Sequence, residues 1–357
     1  MIANLQQLRV GYVPLSHNLD KPGDRRRFVY YAKRRNLSFE VATPSKKYDV
    51  VVLTQNADLS VWGEYNKGGA KVVYDFVDSY LAIPKNNIKG RLRGLAKYIS
   101  GQSRHLRLDH WKALESMCAR ADAVICTTQE QARDISPFCN NVHVILDVHS
   151  TVARAFKIDY QAGEVFNLVW EGLAVNVYAF NHLRNVLARL QTRHKIALHL
   201  ITDLEFRRYL RLFGKTRTAD IVRGLCDRVY LYEWNENMCS TIICASDLAV
   251  IPIDLADPLA RGKPENKLVL LWRMGMPTIT SATPAYERAM AKAGLPMTCH
   301  DENEWFNTLE KYMTDETARR TAGRAGRSLA ESDYGEKIIL QQWDKLFSSL
   351  FLPPGHV

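Results

Sequence analysis

The chain has no apolar run near the roughly 20 residues that a membrane-spanning helix needs. Its start, MIANLQQLRVGYV, lacks a charged segment followed by a long apolar one, which predicts no secretory signal. The seven cysteines, at 118, 126, 139, 226, 239, 244 and 299, form no C-x-x-C pair. That spacing argues against a zinc site and suits buried free thiols in a reducing cytosol. No D-x-D motif stands beside a predicted strand end, so no metal dependence is expected. Short-period repeats and low-complexity tracts are also missing. These absences point to a cytoplasmic protein whose contact with a membrane, if it has one, is peripheral at the inner face.

What is present describes a two-domain globular chain. A length of 357 residues exceeds one ordinary core, and 46% hydrophobic with 24% charged residues is a soluble composition. The net charge of +10 is uneven. Residues 1–150 carry 22 Lys/Arg against 14 Asp/Glu, whereas residues 151–357 carry 26 against 24. The first half therefore favours anionic partners such as phosphates, an anionic membrane surface or nucleic acid.

Strands and helices alternate. LRVGYVPL (8–15), FEVAT (39–43), YDVVVLT (48–54), KVVYDFVD (71–78), ADAVICTT (121–128) and NVHVILD (141–147) read as strands. Their Val-rich runs suit a parallel sheet buried on both faces. Residues 24–36 read as one basic helix with Phe28, Tyr31 and Ala32 inward, and a further helix covers about 108–121. The pattern then restarts with FNLVWEG (166–172), IALHLIT (196–202), DRVYLYEW (227–234), DLAVIPI (247–253) and PTITS (277–281), and the chain is helical from about 302. The expected fold class is α/β, with two Rossmann-like domains facing a central cleft: 1–155, 156–335, and a last helix over 336–357.

The most informative stretch is GKPENKLVLLWRMGMPTITS, residues 262–281. A buried helix, LVLLW, is preceded by a Lys-Pro-Glu-Asn-Lys cluster and ended by Gly275-Met276-Pro277. Free N–H groups and the positive dipole end collect phosphate at such a helix mouth, and Lys263, Asn266 and Lys267 sit where the anion would be held. A solvated charged loop before a core helix is the plainer reading of the same composition.

The order of elements here resembles the nucleotide-sugar site of GT-B glycosyltransferases, with a D-x-x-x-x-P strand, a loop, then K-x7-G-x-P. Asp247 to Pro252, Lys267, Gly275 and Pro277 match that layout. VWEGLA (169–174) looks like the opening strand of such a domain, with Glu171 beside its glycine, Gly172. RVYLYEWN (228–235) looks like the strand whose following loop approaches the base, and Trp234 would pack there or fill the core. VVYDFVD, with Asp75 and Asp78, looks like the YD-x-x-D strand end of many first domains. The final helix with Trp343 looks like the segment that returns to the first domain. The retaining E-x7-E family carries two glutamates at this helix, and the matching positions here are Gly262 and Leu270. Glu265 is the one carboxylate of the cluster. The resemblance therefore supports the phosphate half of the site better than the ribose half.

A carboxylate at the end of a buried strand can act as a general base, which makes Asp78 the candidate for the acceptor hydroxyl, with Asp75 behind it. His17, Asn18 and Asp20 lie in the loop after the first strand, where the resemblance places acceptor and donor phosphates. His17 is the second catalytic candidate. Arg25 and Arg26 would oppose the dipole at a helix start, a hint of an anion there. Residues 85–112 hold eight Lys/Arg and one acid, as a membrane-surface or lipid-phosphate binder would, or a basic loop folded over its own domain.

The resemblance implies a glycosyltransferase that moves a sugar from a nucleotide diphosphate sugar to a glycan or lipid-linked acceptor, in surface polysaccharide biosynthesis. It would need no cofactor. A nucleotide-sugar epimerase of the same fold and a non-catalytic sugar-nucleotide binder are the alternatives. A nucleic-acid binder lacks the interleaved aromatic and basic motifs of RNA readers.

Overall fold

The Val-rich runs become two parallel sheets. The structure is a computed structural model that describes residues 6–66, 69–84, 95, 98–99, 102–106, 109–207 and 214–351. Two compact units result, Met1–Val148 with Glu336–Val357, and His149–Gly335. Residues just past Val148 already belong to the second unit, because Lys157 N donates to Met274 O at 2.8 Å and its ammonium to Ser246 O at 2.7 Å.

In the first unit, β1 (Val10–Val13), β2 (Phe39–Val41), β3 (Val50–Thr54), β4 (Lys71–Asp75), β5 (Ala123–Cys126) and β6 (Val142–Val144) form a sheet in the order β2-β1-β3-β4-β5-β6. Every pairing is parallel. β3 and β5 are buried along their whole length, as sheets covered on both faces require. The last helix, Glu336–Ser349, packs on this unit. Trp343 and Phe347 stack on Tyr31 at centroid distances of 5.5 and 5.3 Å, and Asp344 accepts both ends of the Arg35 guanidinium fork at 2.6 and 2.9 Å.

Two expected elements are shorter than the sequence suggests, and one residue accounts for both. The expected helix 24–36 is broken into Pro22–Arg25 and Phe28–Arg34. Arg27, between them, has φ −121° and ψ −117°, which no helix uses. Its guanidinium turns inward and holds the buried Asp75 carboxylate at 2.6 and 2.8 Å, with Ile145 O at 2.9 Å and Asp147 at 3.0 Å. β4 accordingly ends at Asp75, not at Asp78. Arg25 and Arg26 thus close a short helix instead of opening a long one, so the dipole does not oppose them.

In the second unit, β7 (Val165–Glu171), β8 (Lys195–Thr202), β11 (Arg228–Glu233), β12 (Leu248–Ile251), β13 (Thr278–Ser281) and β14 (Thr298–Cys299) form the order β11-β8-β7-β12-β13-β14, again parallel throughout. Counted from β7, this is 3-2-1-4-5-6, so the strand order reverses between β7 and β12. Ligands in open α/β sheets lie outside the carboxyl ends at that reversal. A small antiparallel pair, β9 (Glu205–Arg207) and β10 (Lys215–Arg217), follows β8 and was not legible in the sequence. Most of the basic stretch 85–112 lies outside the described residues.

Arg27 and Asp75 are both almost wholly enclosed, at 1% and 2% exposure. Removing one charge of a buried pair strands the other. Arg27→Met should therefore lower unfolding free energy by about 3–5 kcal/mol. The double variant Arg27→Met/Asp75→Asn should recover part of that loss. Denaturant titration of the three proteins checks this.

Candidate nucleotide diphosphate site

β7 is buried from Leu168 onward and ends at the buried Glu171. The chain leaves the sheet at Gly172, where a side chain would not fit. A Cβ there would stand 2.3 Å from Lys267 Nζ and 2.9 Å from the Trp170 ring. The ammonium lies over the open backbone of Gly172 and 4.4 Å from the centroid of the Trp170 ring.

Lys267 is delivered from the other side of the switch point. β12 ends in a loop containing the short helix Pro258–Arg261, and the helix Asn266–Arg273 begins next. Its residues Leu268, Val269, Leu270, Leu271 and Trp272 are all buried, which fixes its axis. Gly275, at φ +75°, then takes the left-handed conformation that stops the helix and leads into β13. Leu270, the position where the E-x7-E resemblance would have a ribose-binding glutamate, is 1% exposed in the apolar core.

Glu265 occupies the N-cap without a side-chain bond to the helix. It is buried, and its Oε1 accepts from Tyr334 OH at 3.4 Å. Burial first, and the Glu265 charge second, push the hydroxyls of Tyr286 and Tyr334 well above the usual tyrosine range. Glu265 thus faces tyrosines, and its charge is not spent on Lys267. Lys263 is half-buried and donates to Asn176 Oδ1 at 2.6 Å. Trp234, just beyond β11, is half-buried and donates from Nε1 to Glu171 Oε1 at 2.9 Å.

The structure therefore brings Gly172, Lys263, Lys267 and Trp234 together with Glu171 and Trp170 at the carboxyl edge of one sheet. Asn266 opens the same helix. The sequence reading did not single out Trp170 or Asn176. Trp170 could have been found from strand alternation, since it lies two residues before Gly172. Asn176 carried no signal, because the helical turn that holds it has no motif.

The electrostatics centre on Lys267. Lys267 makes no ion pair among the described residues. Burial pushes its ammonium down from the ordinary 10.5 to about 8, against a partial lift from Glu171, and Lys263 lowers it further. Glu171 makes no ion pair with Lys267 among the described residues, and its Oε1 accepts the Trp234 N–H.

The first-unit candidates belong to the other unit. Asp78 is three residues beyond the end of β4, in a bend, and is half-buried. Gln55, just past β3, donates from Nε2 to its carboxylate at 2.8 Å and accepts the Asp78 N–H at 2.9 Å. Asp75 is the buried ion-pair partner of Arg27 and is structural. His17 is exposed in the turn after β1. Asp24 holds that turn, accepting from Tyr12 OH, Leu15 N and Ser16 N at 2.7, 2.8 and 3.0 Å.

No family model matches the sequence, and no curated protein matches it. Solved structures match in fold. The sucrose-phosphate synthase of Thermosynechococcus elongatus is 18% identical, with 91% of this chain and 76% of that one covered and a TM-score of 0.58. Anabaena HepE in complex with UDP is 13% identical, with 96% and 100% covered and a TM-score of 0.62. A trehalose-6-phosphate protein of E. coli bound with UDP-2-fluoro glucose is 12% identical, with 85% and 74% covered and a TM-score of 0.55. The likeness establishes the fold class, the GT-B architecture of two Rossmann-like domains.

A pH dependence follows from Lys267. The folded chain binds fewer protons there than the unfolded chain between about pH 8 and 10.5, so this residue's contribution to stability rises with pH across that window. Anion binding has the opposite sign, because it needs the ammonium. Diphosphate affinity should fall as pH rises above about 8, by up to about tenfold per unit for one proton taken up. Lys267→Arg, which stays charged, should flatten that slope. Calorimetric titration with UDP from pH 7 to 9.5 checks both.

Proposed function

We propose that the chain is a glycosyltransferase moving a sugar from a nucleotide diphosphate sugar to a glycan or lipid-linked acceptor, in surface polysaccharide biosynthesis. The observation that carries this reading is Lys267: a cation without an ion-pair partner among the described residues, at a helix N-terminus, over a bare glycine backbone, at the switch point of a 3-2-1-4-5-6 sheet. Solved neighbours of the same fold hold UDP, UDP-glucose or UDP-2-fluoro glucose, which supports the same ligand class here.

On this reading Lys267 and Lys263 neutralise the departing diphosphate, and the helix N–H groups add to them. Such preorganised charge stabilisation is commonly the largest catalytic contribution. Gly172 gives the phosphates access to the backbone, and Trp234 with Glu171 frames the nucleoside side. Asn266 and Glu265 shape the helix mouth. Asp78 removes the acceptor proton, with His17 as the alternative group in that unit. The reaction needs no cofactor beyond the donor. No observation favours the epimerase. Peripheral contact with anionic lipid rests on the composition of residues 85–112.

Two variants separate these roles. Lys267→Ala should weaken UDP binding by about 1.5–3 kcal/mol, the range for a charged hydrogen bond, and leave uridine binding nearly unchanged. Equal loss for both ligands would assign Lys267 to structure. Asp78→Asn should lower turnover by about 10²–10⁴-fold while UDP affinity and melting temperature stay near the parent values. Parental turnover in this variant would exclude Asp78 as the base.

A further inference from the structure

Asp247 belongs to the D-x-x-x-x-P layout, yet it precedes β12 and so stands at the opposite end of that strand from the carboxyl edge. Its Oδ2 accepts the Asn167 backbone N–H at 2.7 Å and the Asn167 side-chain amide at 3.1 Å. The same amide nitrogen donates to Val165 O at 3.0 Å. A carboxylate and a carbonyl only accept, so the orientation of the Asn167 amide is fixed and its Oδ1 is left to accept in turn. His199 Nε2 lies 3.1 Å from that oxygen and must carry the proton. Burial lowers the His199 pKa, against a lift from Asp247, so the ring is neutral at neutral pH. Nδ1 is then bare, and it accepts the Tyr232 hydroxyl at 3.0 Å.

One ordered chain of hydrogen bonds thus crosses the sheet, from the start of β12 through β7 and β8 to β11. The rings of Tyr230 and Tyr232 stack on His199 at centroid distances of 5.0 and 5.9 Å. β11 needs such a tie. It is an edge strand, with β8 as its sheet neighbour, and every one of its residues is exposed or only half-buried. Apolar burial therefore does little to fix it. Its end nonetheless carries Trp234, two residues beyond Tyr232, whose backbone N–H continues the ladder to Thr202 O at 3.1 Å.

We propose that His199 is a positioning residue for the second unit's site. By holding the Tyr232 hydroxyl it fixes the carboxyl end of β11, and so sets the Trp234–Glu171 pair. The role of that pair on the nucleoside side rests on the function proposed above. An imidazole serves because a neutral ring donates from one nitrogen and accepts at the other. A glutamine amide offers the same two functions, whereas phenylalanine keeps the ring and offers neither.

The test compares the full chain with His199→Phe, Tyr232→Phe and His199→Gln. The first readout is the Trp234 indole N–H signal in a ¹⁵N–¹H spectrum, assigned by its loss in Trp234→Phe. That signal should move or broaden in His199→Phe and Tyr232→Phe and return towards the parent position in His199→Gln. Tyr232→Phe removes a single half-buried hydroxyl, so it remains informative if His199→Phe does not fold. The second readout is calorimetric titration with UDP and with inorganic pyrophosphate. UDP affinity should fall about three- to tenfold in the two phenylalanine variants, with pyrophosphate affinity unchanged and UDP affinity recovered in His199→Gln. An indole signal that stays in place in both phenylalanine variants would overturn the proposal. So would an equal loss of UDP and pyrophosphate binding, since His199 would then support the unit as a whole. A parent chain that binds neither ligand would remove the nucleotide reading instead, and the indole signal would still decide whether His199 sets Trp234.

Discussion

A lysine ammonium held against an indole and a bare glycine backbone, with no carboxylate closing on it, is the constraint around which the second unit is arranged. The position is costly for a cation, and burial lowers its pKa accordingly. It persists because everything around it is over-determined. The helix that carries Lys267 is buried from Leu268 to Trp272, and the strand that ends beneath it is buried to Glu171. Neither element can shift to relieve the charge without opening the core. Glu171, the carboxylate whose charge acts most strongly on Lys267, accepts the Trp234 N–H on one oxygen. Lys267 thus carries its charge with no ion pair among the described residues.

The first unit solves a related problem differently. Arg27 is completely paired and replaces what would have been a continuous helix with two short pieces. In exchange it joins the end of β4 to the segments after β6. The loop after β1 is fixed as firmly by Asp24. Carboxyl-edge loops are usually the mobile part of such sheets. Here they are tied into buried polar networks, which gives Gln55 and Asp78 a defined setting.

Much of the fold was legible because parallel strands buried on both faces announce themselves as Val-rich runs, and each strand read from the sequence overlaps one in the structure. Strand ends were less legible. KVVYDFVD alternates plausibly to Asp78, but pairing stops where Asp75 meets an arginine 48 positions earlier in the chain, a long-range fact with no local trace. The break at Arg27 escaped for the same reason. The antiparallel pair after β8 has short, charged strands without hydrophobic periodicity. At the site, Lys267, Gly172 and Trp234 were visible as spacing. Their mutual placement was not, because it depends on the reversal of strand order that brings the ends of β7 and β12 side by side.

Leu270 shows where binding energy can and cannot come from. The helix face that could have offered a carboxylate to a ribose is instead packed into the core with Leu268 and Leu271. An acid there would be buried beside apolar residues, so a single Leu270→Glu change would not create a ribose contact without opening the core. On the proposed function, recognition by this helix is therefore confined to its N-terminal turn, where charge and N–H groups suit phosphate. On the same reading, discrimination among nucleotides would fall to groups off the helix. Trp234 and Glu171, at the ends of β11 and β7, are hydrogen-bonded to each other, and the Glu171 charge acts on Lys267. The proposed function thus puts affinity and selectivity on different elements of one sheet edge, where the two could be altered independently.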